Sequence, residues 1–431
     1  MTHSLLLSAH EGSADYDALL ARLSRRGESD LERVESAVRD IINAVRSGGD
    51  RELRRYVERY EQRSPEPFLL RDYGGPAALA SLQEPVRAAL VEAAARIRRF
   101  HERQAEQLKS FEYTEDGVTL GSRCTPLARV GVYAPGGKAR YPSSVLMCAV
   151  PAQVAGVTEI VVATPDASPE VRAACHLAGV SAILDAGGAQ AVAALAHGTE
   201  TVPRVDKIVG PGNIYVAAAK RLVFGEVAID SIAGPSEILV VADETARADL
   251  VAADLISQAE HDEAAYPLLV TTSAELVDAV CAELTRQLEG LPRRAIAEAA
   301  LKANGFALVV KARKMLAHVA NELASEHVAI HADNPRELAD QIVRAGALFV
   351  GADTPEAAGD YLAGPSHVLP TGGAARFSAP LGVYDFVSRS SLISYQPGAL
   401  SAQAALITAF ARAEGLEGHA LAVERRQAKK S

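Results

Sequence analysis

The chain of 431 residues contains no tryptophan, and aromatic residues of all kinds make up only 5% of it. A core built around large rings is excluded; the 48% of apolar residues, with Ala and Val recurring throughout, instead suit helices packed closely on sheets. Cysteine is scarce. Cys124, Cys148, Cys175 and Cys281 lie far apart with no C-x-x-C pair, which argues against both a disulfide framework and a thiolate zinc cluster and fits a reducing, cytoplasmic setting. No run approaches the roughly 18 apolar residues of a membrane span. The start, Met1-Thr-His-Ser-Leu-Leu-Leu-Ser8, lacks the basic opening and long apolar stretch of a secretory signal. An excess of positive charge is missing as well: 44 basic residues face 54 acidic ones, a net charge of −10. Nucleic acid is therefore a poor partner, and a small molecule a better one.

The length exceeds one ordinary core and predicts at least two domains. The first hundred residues are charged and helix-patterned, with an amphipathic stretch from Pro85 to about Phe111 and no evident chemistry. From Arg129 the texture changes to short apolar runs alternating with Ala-rich helices. Candidate strands are Val130–Ala134, Glu159–Ala163, Ala182–Leu184, Lys207–Val209 and Ile238–Ala242, then Pro267–Thr271, Ala307–Val310, Val328–His331 and Ala347–Val350. Such alternation is the mark of βαβ units. Two α/β layers follow, and because the N-terminal helices need a sheet to cover, the first domain is expected to be discontinuous. Residues 1–128 with 237–375 would form it, 129–236 would be inserted, and 376–431 would make a C-terminal tail for subunit contact.

Four glycine-rich turns adjoin these strands: Ala134-Pro-Gly-Gly137, Ala186-Gly-Gly-Ala-Gln190, Val209-Gly-Pro-Gly-Asn213 and Ala233-Gly-Pro-Ser236. Backbone amides at such turns can meet phosphates, as in a nucleotide. None contains G-x-G-x-x-G, however, and taken alone the turns favour tight backbone geometry over cofactor binding.

Isolated polar residues stand out in apolar surroundings. In Ser257-Gln-Ala-Glu-His261, Gln258 and His261 are three apart at the end of a helical segment, so both side chains leave one face. Glu326-His327, Asp360 and Glu414 with His419 follow downstream. Singly, either His261 or His419 reads as an ordinary half-buried histidine. Glu326-His327 precedes a strand, where adjacent side chains point to opposite faces, so the pair can serve one site only from a strand end or turn.

Taken in order, these segments resemble histidinol dehydrogenases. The resemblance is carried by Tyr133-Ala-Pro-Gly-Gly137, Pro142-Ser-Ser-Val-Leu-Met147, Gly187-Gly-Ala-Gln190, Asp206-Lys-Ile-Val-Gly-Pro-Gly-Asn213, Ala233-Gly-Pro-Ser-Glu-Ile-Leu-Val240 and Ser257-Gln-Ala-Glu-His261. It continues through Ser325-Glu-His327, Gly359-Asp-Tyr361, Gly364-Pro-Ser-His-Val-Leu-Pro370, Tyr384-Asp-Phe386 and Glu414-Gly-Leu-Glu-Gly-His419. Departures are confined to Lys138-Ala-Arg140 and Asp262-Glu-Ala-Ala-Tyr266, which touch no expected ligand.

The resemblance implies an α/β protein of two incomplete Rossmann-like domains, similar to aldehyde dehydrogenases, with an N-terminal helical region and a C-terminal helical tail used in dimerisation. It implies oxidation of L-histidinol to L-histidine through the aldehyde by two NAD+ in succession, the last step of histidine biosynthesis. Zn2+, one per active site, would be held by Gln258, His261, Asp360 and His419. His327 would be the general base for the substrate hydroxyl, and Glu326 would activate the water that hydrates the aldehyde. Ser236, Gln258, His261, His327, Asp360, Glu414 and His419 would bind substrate, with Glu414 and His419 coming from the partner subunit of a homodimer. Tyr133, Gln190 and Asn213 would bind NAD+. A related zinc and NAD+ enzyme acting on another small alcohol, such as a sulfonated diol, is the alternative. A non-catalytic binding protein would have no need of all these donors together. A catalytic cysteine is disfavoured, because Cys148 lies in an apolar helical run and Cys175 and Cys281 lie in Ala-rich ones.

Overall fold

The computed structural model describes residues 5–26, 31–136, 140–396 and 398–427. Residues 1–4 and 137–139, named above, lie outside these. The strands, in chain order, are β1 (Leu7–His10), β2 (Leu69–Leu70), β3 (Phe111–Glu115), β4 (Val118–Pro126), β5 (Arg129–Tyr133), β6 (Glu159–Ala163), β7 (Ala182–Leu184) and β8 (Lys207–Val209). They continue as β9 (Ala228–Ile229), β10 (Glu237–Ala242), β11 (Tyr266–Thr271), β12 (Phe306–Val309), β13 (His327–His331), β14 (Ala347–Val350) and β15 (Val387–Tyr395). Every strand expected between 130 and 350 is present, with ends displaced by at most one residue.

The chain divides into two compact units, one of Met1–Glu102 with Leu127–Phe386 and one of Arg103–Pro126 with Val387–Ser431. Two six-stranded sheets make up the first. One, in the order β1-β12-β11-β10-β13-β14, is parallel throughout. Its central strand β10 is buried along its whole length, as expected of an apolar run covered by helices on both faces. The other has the order β2-β7-β6-β5-β8-β9 and is parallel except for the short edge strand β2.

The second sheet collects more of the N-terminal region than expected. Residues 1–128 are expected in the first domain, yet among their described residues it is β1, with Leu7 opposite Phe306, and the helix Ala14–Ser24 that go to the first sheet. The helix Glu32–Glu61 buries Val34, Val38, Ile41, Val45 and Val57 in one core with Val192, Leu195 and Val216 from the second sheet's helices. The helix Glu84–Ala105 shares the core on the opposite face, where Leu90, Ala94 and Ile97 meet Val132 and Val162. Both helices are long and amphipathic, and their stripes go to the sheet whose two faces they complete.

The second unit is a three-stranded antiparallel sheet, β15-β4-β3, with the helices Ala399–Ala413 and Glu417–Gln427. The expected helical C-terminal region is thus present, but it is joined by residues 103–126. Those residues left no trace in the sequence pattern because β3 is exposed at every position and so lacks apolar alternation. Among the described residues, no helix is long and apolar enough to cross a membrane.

Candidate active site

β10 and β13 begin side by side, with Ile238 opposite His327. Residue 237 therefore stands at the open end of the ladder, and both of its peptide groups meet the Glu326-His327 pair. The Glu237 N–H donates to Glu326 Oε2 at 2.9 Å, and the His327 Nδ1 lies 3.0 Å from the Glu237 carbonyl. A carbonyl only accepts, so Nδ1 carries the proton and Nε2 presents its lone pair. That Nε2 is buried and has no hydrogen-bond partner among the described residues. The strand-end geometry that the pair required is present: His327 opens β13 and Glu326 precedes it.

Two other segments reach the same edge. The helix Ala248–Ala259 runs back from the end of β10, so its last turn brings Gln258 there. His261 follows in a turn whose N–H returns to the Gln258 carbonyl at 3.2 Å. Arg293 secures this turn through the carbonyls of Glu260 and His261, at 2.8 and 3.2 Å. The short helix Glu356–Tyr361 supplies Glu356 and Asp360 on one face. Donor atoms of His261, Glu356 and Asp360 all lie within 4.8 Å of one another, and His327 Nε2 is 3.7 Å from Glu356 and 3.9 Å from Asp360.

The electrostatics of this cluster invite a cation. Glu356 and Asp360 are like charges one helical turn apart, an arrangement that opposes helix formation when nothing lies between them. Burial, reinforced by the charge of Asp360, pushes the Glu356 carboxyl well above its ordinary range. Burial also lowers the imidazole of His261, against the opposing charge of Asp360, which favours the neutral form that ligates metals. The Gln258 amide faces Glu356 and, with its nitrogen turned inward, donates to that carboxylate at 2.7 and 3.2 Å. Its oxygen is then the free end. Ser257 Oγ also donates to Glu356, at Oε2, at 2.9 Å. A set of one imidazole, one carboxamide oxygen and one carboxylate, without thiolate, suits zinc or a harder divalent ion.

The expected cofactor residues gather on the second sheet. The chain runs outward from β5 to β6 and β7, then crosses to β8 and β9 on the other side. The reversal between β5 and β8 is the switch point at which doubly wound sheets bind ligands beyond their strand ends. Tyr133 ends β5, and its hydroxyl accepts from Gly188 N at 2.9 Å. Gln190 donates to Glu61 at 3.2 Å, and Asn213 caps the helix Ile214–Val223 through its Oδ1. The intervening Gly210 has φ +109°, and a side chain there would collide with the Tyr133 carbonyl. Its N–H is held by Asp230 at 2.7 Å and its carbonyl by Lys220 at 2.9 Å, and Lys220 and Asp230 are themselves a buried ion pair. The fourth glycine turn differs from the other three. It precedes β10, where Gly234 N donates to Thr371 Oγ1 at 2.6 Å and the half-buried Ser236 leads into Glu237.

The histidinol dehydrogenase family model matches residues 24–427. The chain belongs to the histidinol dehydrogenase family. A histidinol dehydrogenase of Syntrophotalea carbinolica is 49% identical over 416 residues, covering 95% of this chain and 96% of that one. One from Geobacillus kaustophilus is 50% identical over 408 residues, with coverages of 93% and 96%. The crystal structure of histidinol dehydrogenase from Elizabethkingia anophelis shares the fold with a TM-score of 0.91 at 32% identity, covering 99% of both chains. This histidinol dehydrogenase family member is accordingly an oxidoreductase.

Of the residues expected in the site, Gln258, His261, Glu326, His327 and Asp360 converge in the first unit. Glu414 and His419 belong to the second unit and are exposed in it. Two members of the cluster were missed. Glu356 follows Asp-Thr-Pro, a setting shared with the acidic first turn of any exposed helix; its spacing of four from Asp360 is the available signal. His367 sits within a quoted motif without an assigned role, and its Nδ1 lies 3.0 Å from the Asp360 carbonyl, steadying the segment that carries the carboxylate.

Burial raises the Glu326 carboxyl from 4.5 to about 8, with His327 opposing the shift and Glu237 adding to it. A carboxyl raised in this way stabilises the fold fully below pH 4.5, and that contribution is lost as pH rises through 8. The denaturant midpoint of the metal-free protein is therefore expected to fall as pH rises from 4.5 to 8, and Glu326→Gln should flatten that dependence; a wild-type midpoint constant over this range would contradict this.

Cys148 and Cys175 are fully buried, and burial pushes both thiols up, away from the reactive thiolate. Cys148→Ala should keep near-normal turnover in a steady-state NADH assay. A folded variant that still oxidised alcohol but not aldehyde would restore a thiol mechanism.

Proposed function

We propose that the protein carries out the zinc-dependent, four-electron oxidation of L-histidinol to L-histidine through the aldehyde with two NAD+, the last step of histidine biosynthesis, in the cytoplasm. The observation that supports this most directly is the buried, unpartnered His327 Nε2 aimed into the cluster of Gln258, His261, Glu356 and Asp360. In this reading Gln258, His261, Asp360 and the partner subunit's His419 hold Zn2+. Bound there, the metal fixes the amino and imidazole nitrogens of the substrate and so orients its reacting carbon. Tyr133, Gln190 and Asn213 would receive NAD+ at the switch point, where it would supply the hydride acceptor.

The chain's own residues move the protons. His327 Nε2 accepts the substrate hydroxyl proton as hydride leaves in the first oxidation, while the Glu237 carbonyl stabilises the Nδ1–H of the imidazolium that forms. Glu326, once ionised, takes a proton from the water that adds to the aldehyde; His327, having released the first proton to solvent, accepts the hydrate's hydroxyl proton as the second hydride leaves. Ser236 and the partner subunit's Glu414 contact substrate, the latter by pairing with a cationic amine. Glu356 accepts from the Gln258 amide nitrogen and leaves the carboxamide oxygen as the ligand atom, the kind of outer support that fixes a metal site.

A homodimer is part of this proposal. Leu406 and Phe410 on the helix Ala399–Ala413 and Ile393 on β15 are 76%, 71% and 66% exposed, an apolar surface suited to a subunit contact. In a two-fold dimer each site would draw on both chains. A Glu326→Gln chain co-assembled with a His419→Asn chain should then recover about half of the wild-type activity per heterodimer, since one of its two sites is intact. Verified heterodimers without recovery would refute the shared site.

The decisive measurement is NADH formed per L-histidinol consumed, with zinc-loaded and chelator-treated enzyme side by side. Two NADH, lost on chelation and restored by zinc, are expected. One NADH would indicate a simple alcohol dehydrogenase of the related kind, and none from folded, zinc-loaded enzyme would overturn the substrate assignment.

A further inference from the structure

The Glu237 peptide that meets both members of the dyad is itself anchored by its side chain, and the anchor comes from the N-terminal segment. Arg26 Nε donates to Glu237 Oε2 at 2.7 Å, and its Nη2 reaches the same oxygen. Nη2 also donates to the Leu323 carbonyl at 2.9 Å and Ser325 Oγ at 3.1 Å, and Nη1 to the Leu23 carbonyl at 2.8 Å. The second oxygen of Glu237 accepts the Gly372 N–H. One guanidinium therefore ties the start of β10 to Leu323 and Ser325, the residues that lead into Glu326 and His327. The two side chains are only 2% and 1% exposed.

A buried ion pair is a poor source of net stability, because desolvation of the two charges cancels most of their attraction. What it supplies is direction. The planar fork of arginine reaches four acceptors around one corner of the structure with fixed angles, which lysine cannot do. The consequence for the dyad is specific: residue 237 must stay in place for its N–H to face Glu326 and its carbonyl to hold the Nδ1–H of His327, and the 323–325 segment must stay in place for the dyad to meet it.

We propose that Arg26 and Glu237 are positioning residues for the Glu326-His327 pair, acting on the chemical step without touching substrate. This rests on the reading of Glu326 and His327 as catalytic. Displacement of a reacting group by about 1 Å can cost on the order of 100-fold in rate while leaving binding intact. The effect should therefore fall on kcat and spare KM.

The test compares two variants with wild type in kcat, KM for L-histidinol and thermal midpoint. Arg26→Lys keeps a cation beside Glu237 but loses the fork; kcat should fall about tenfold with KM changed by less than about threefold. The double variant Arg26→Met with Glu237→Gln removes both charges yet keeps an acceptor for Gly372, so no lone buried charge remains to unfold it. Its kcat should fall roughly 100-fold, and Arg26→Lys should retain part of what it loses. Wild-type kcat in folded Arg26→Lys overturns the proposal, as does a defect confined to KM. Glu326→Gln and His327→Asn assayed alongside separate the two levels. If they keep wild-type turnover the catalytic reading of the dyad fails; if they are inactive while both Arg26 variants keep wild-type kcat, the positioning role alone fails.

Discussion

The candidate site depends on the register of β10 against β13. In a parallel pair the hydrogen bonds slant evenly along the strands, and here the ladder begins with Ile238 opposite His327, so the residue before it has polar groups available beyond the sheet. Glu237 directs one at a carboxylate and the other at an imidazole. A slip of one residue would turn every side chain of β13 to the other face and carry His327 away from the carboxylates. The register is protected by burial on both faces, since Leu239 and Val241 pack into one core and Ile238 and Val240 into the other. Chemistry at the strand ends is thus fixed by apolar packing along the strands.

The cluster that results holds more carboxylate than a buried setting tolerates on its own. Glu326, Glu356 and Asp360 converge with His261, His327 and His367, and among the described residues no arginine or lysine is paired with any of these carboxylates. The nearest buried guanidinium, that of Arg26, is committed to Glu237. Such an arrangement keeps Glu326 and Glu356 protonated near neutrality unless another positive charge arrives. A divalent ion at the cluster would supply that charge.

Most of the first unit was legible in the sequence because its strands are short, apolar and punctuated by glycine, and that periodicity survives any tertiary context. Gln258, His261, Asp360 and the dyad were legible as polar interruptions of apolar segments, and the family likeness gave them roles. Glu356 was not, since nothing in Asp-Thr-Pro-Glu distinguishes a buried helix start from an exposed one; the difference is made by Ser257 and Gln258, about a hundred residues away in the chain. Arg26 was hidden among other arginines for the same reason. The polar sheet β15-β4-β3 escaped because its exposed strands carry no pattern, and the placement of the helices at 32–105 escaped because an amphipathic stripe says that a face will be covered without saying by which sheet.

The pairing of β1 with β12 also has a bearing on how the protein is made. Leu7 lies beside Phe306, so β1 waits during synthesis for a partner made 299 residues later (306 − 7), about 15–60 s at ~5–20 residues per second. The second sheet, whose parallel strands all fall between Arg129 and Ile229, can close during that interval. The second sheet would then be formed before the first, and Arg26, only sixteen residues beyond β1 (26 − 10), would be among the last groups to find its place.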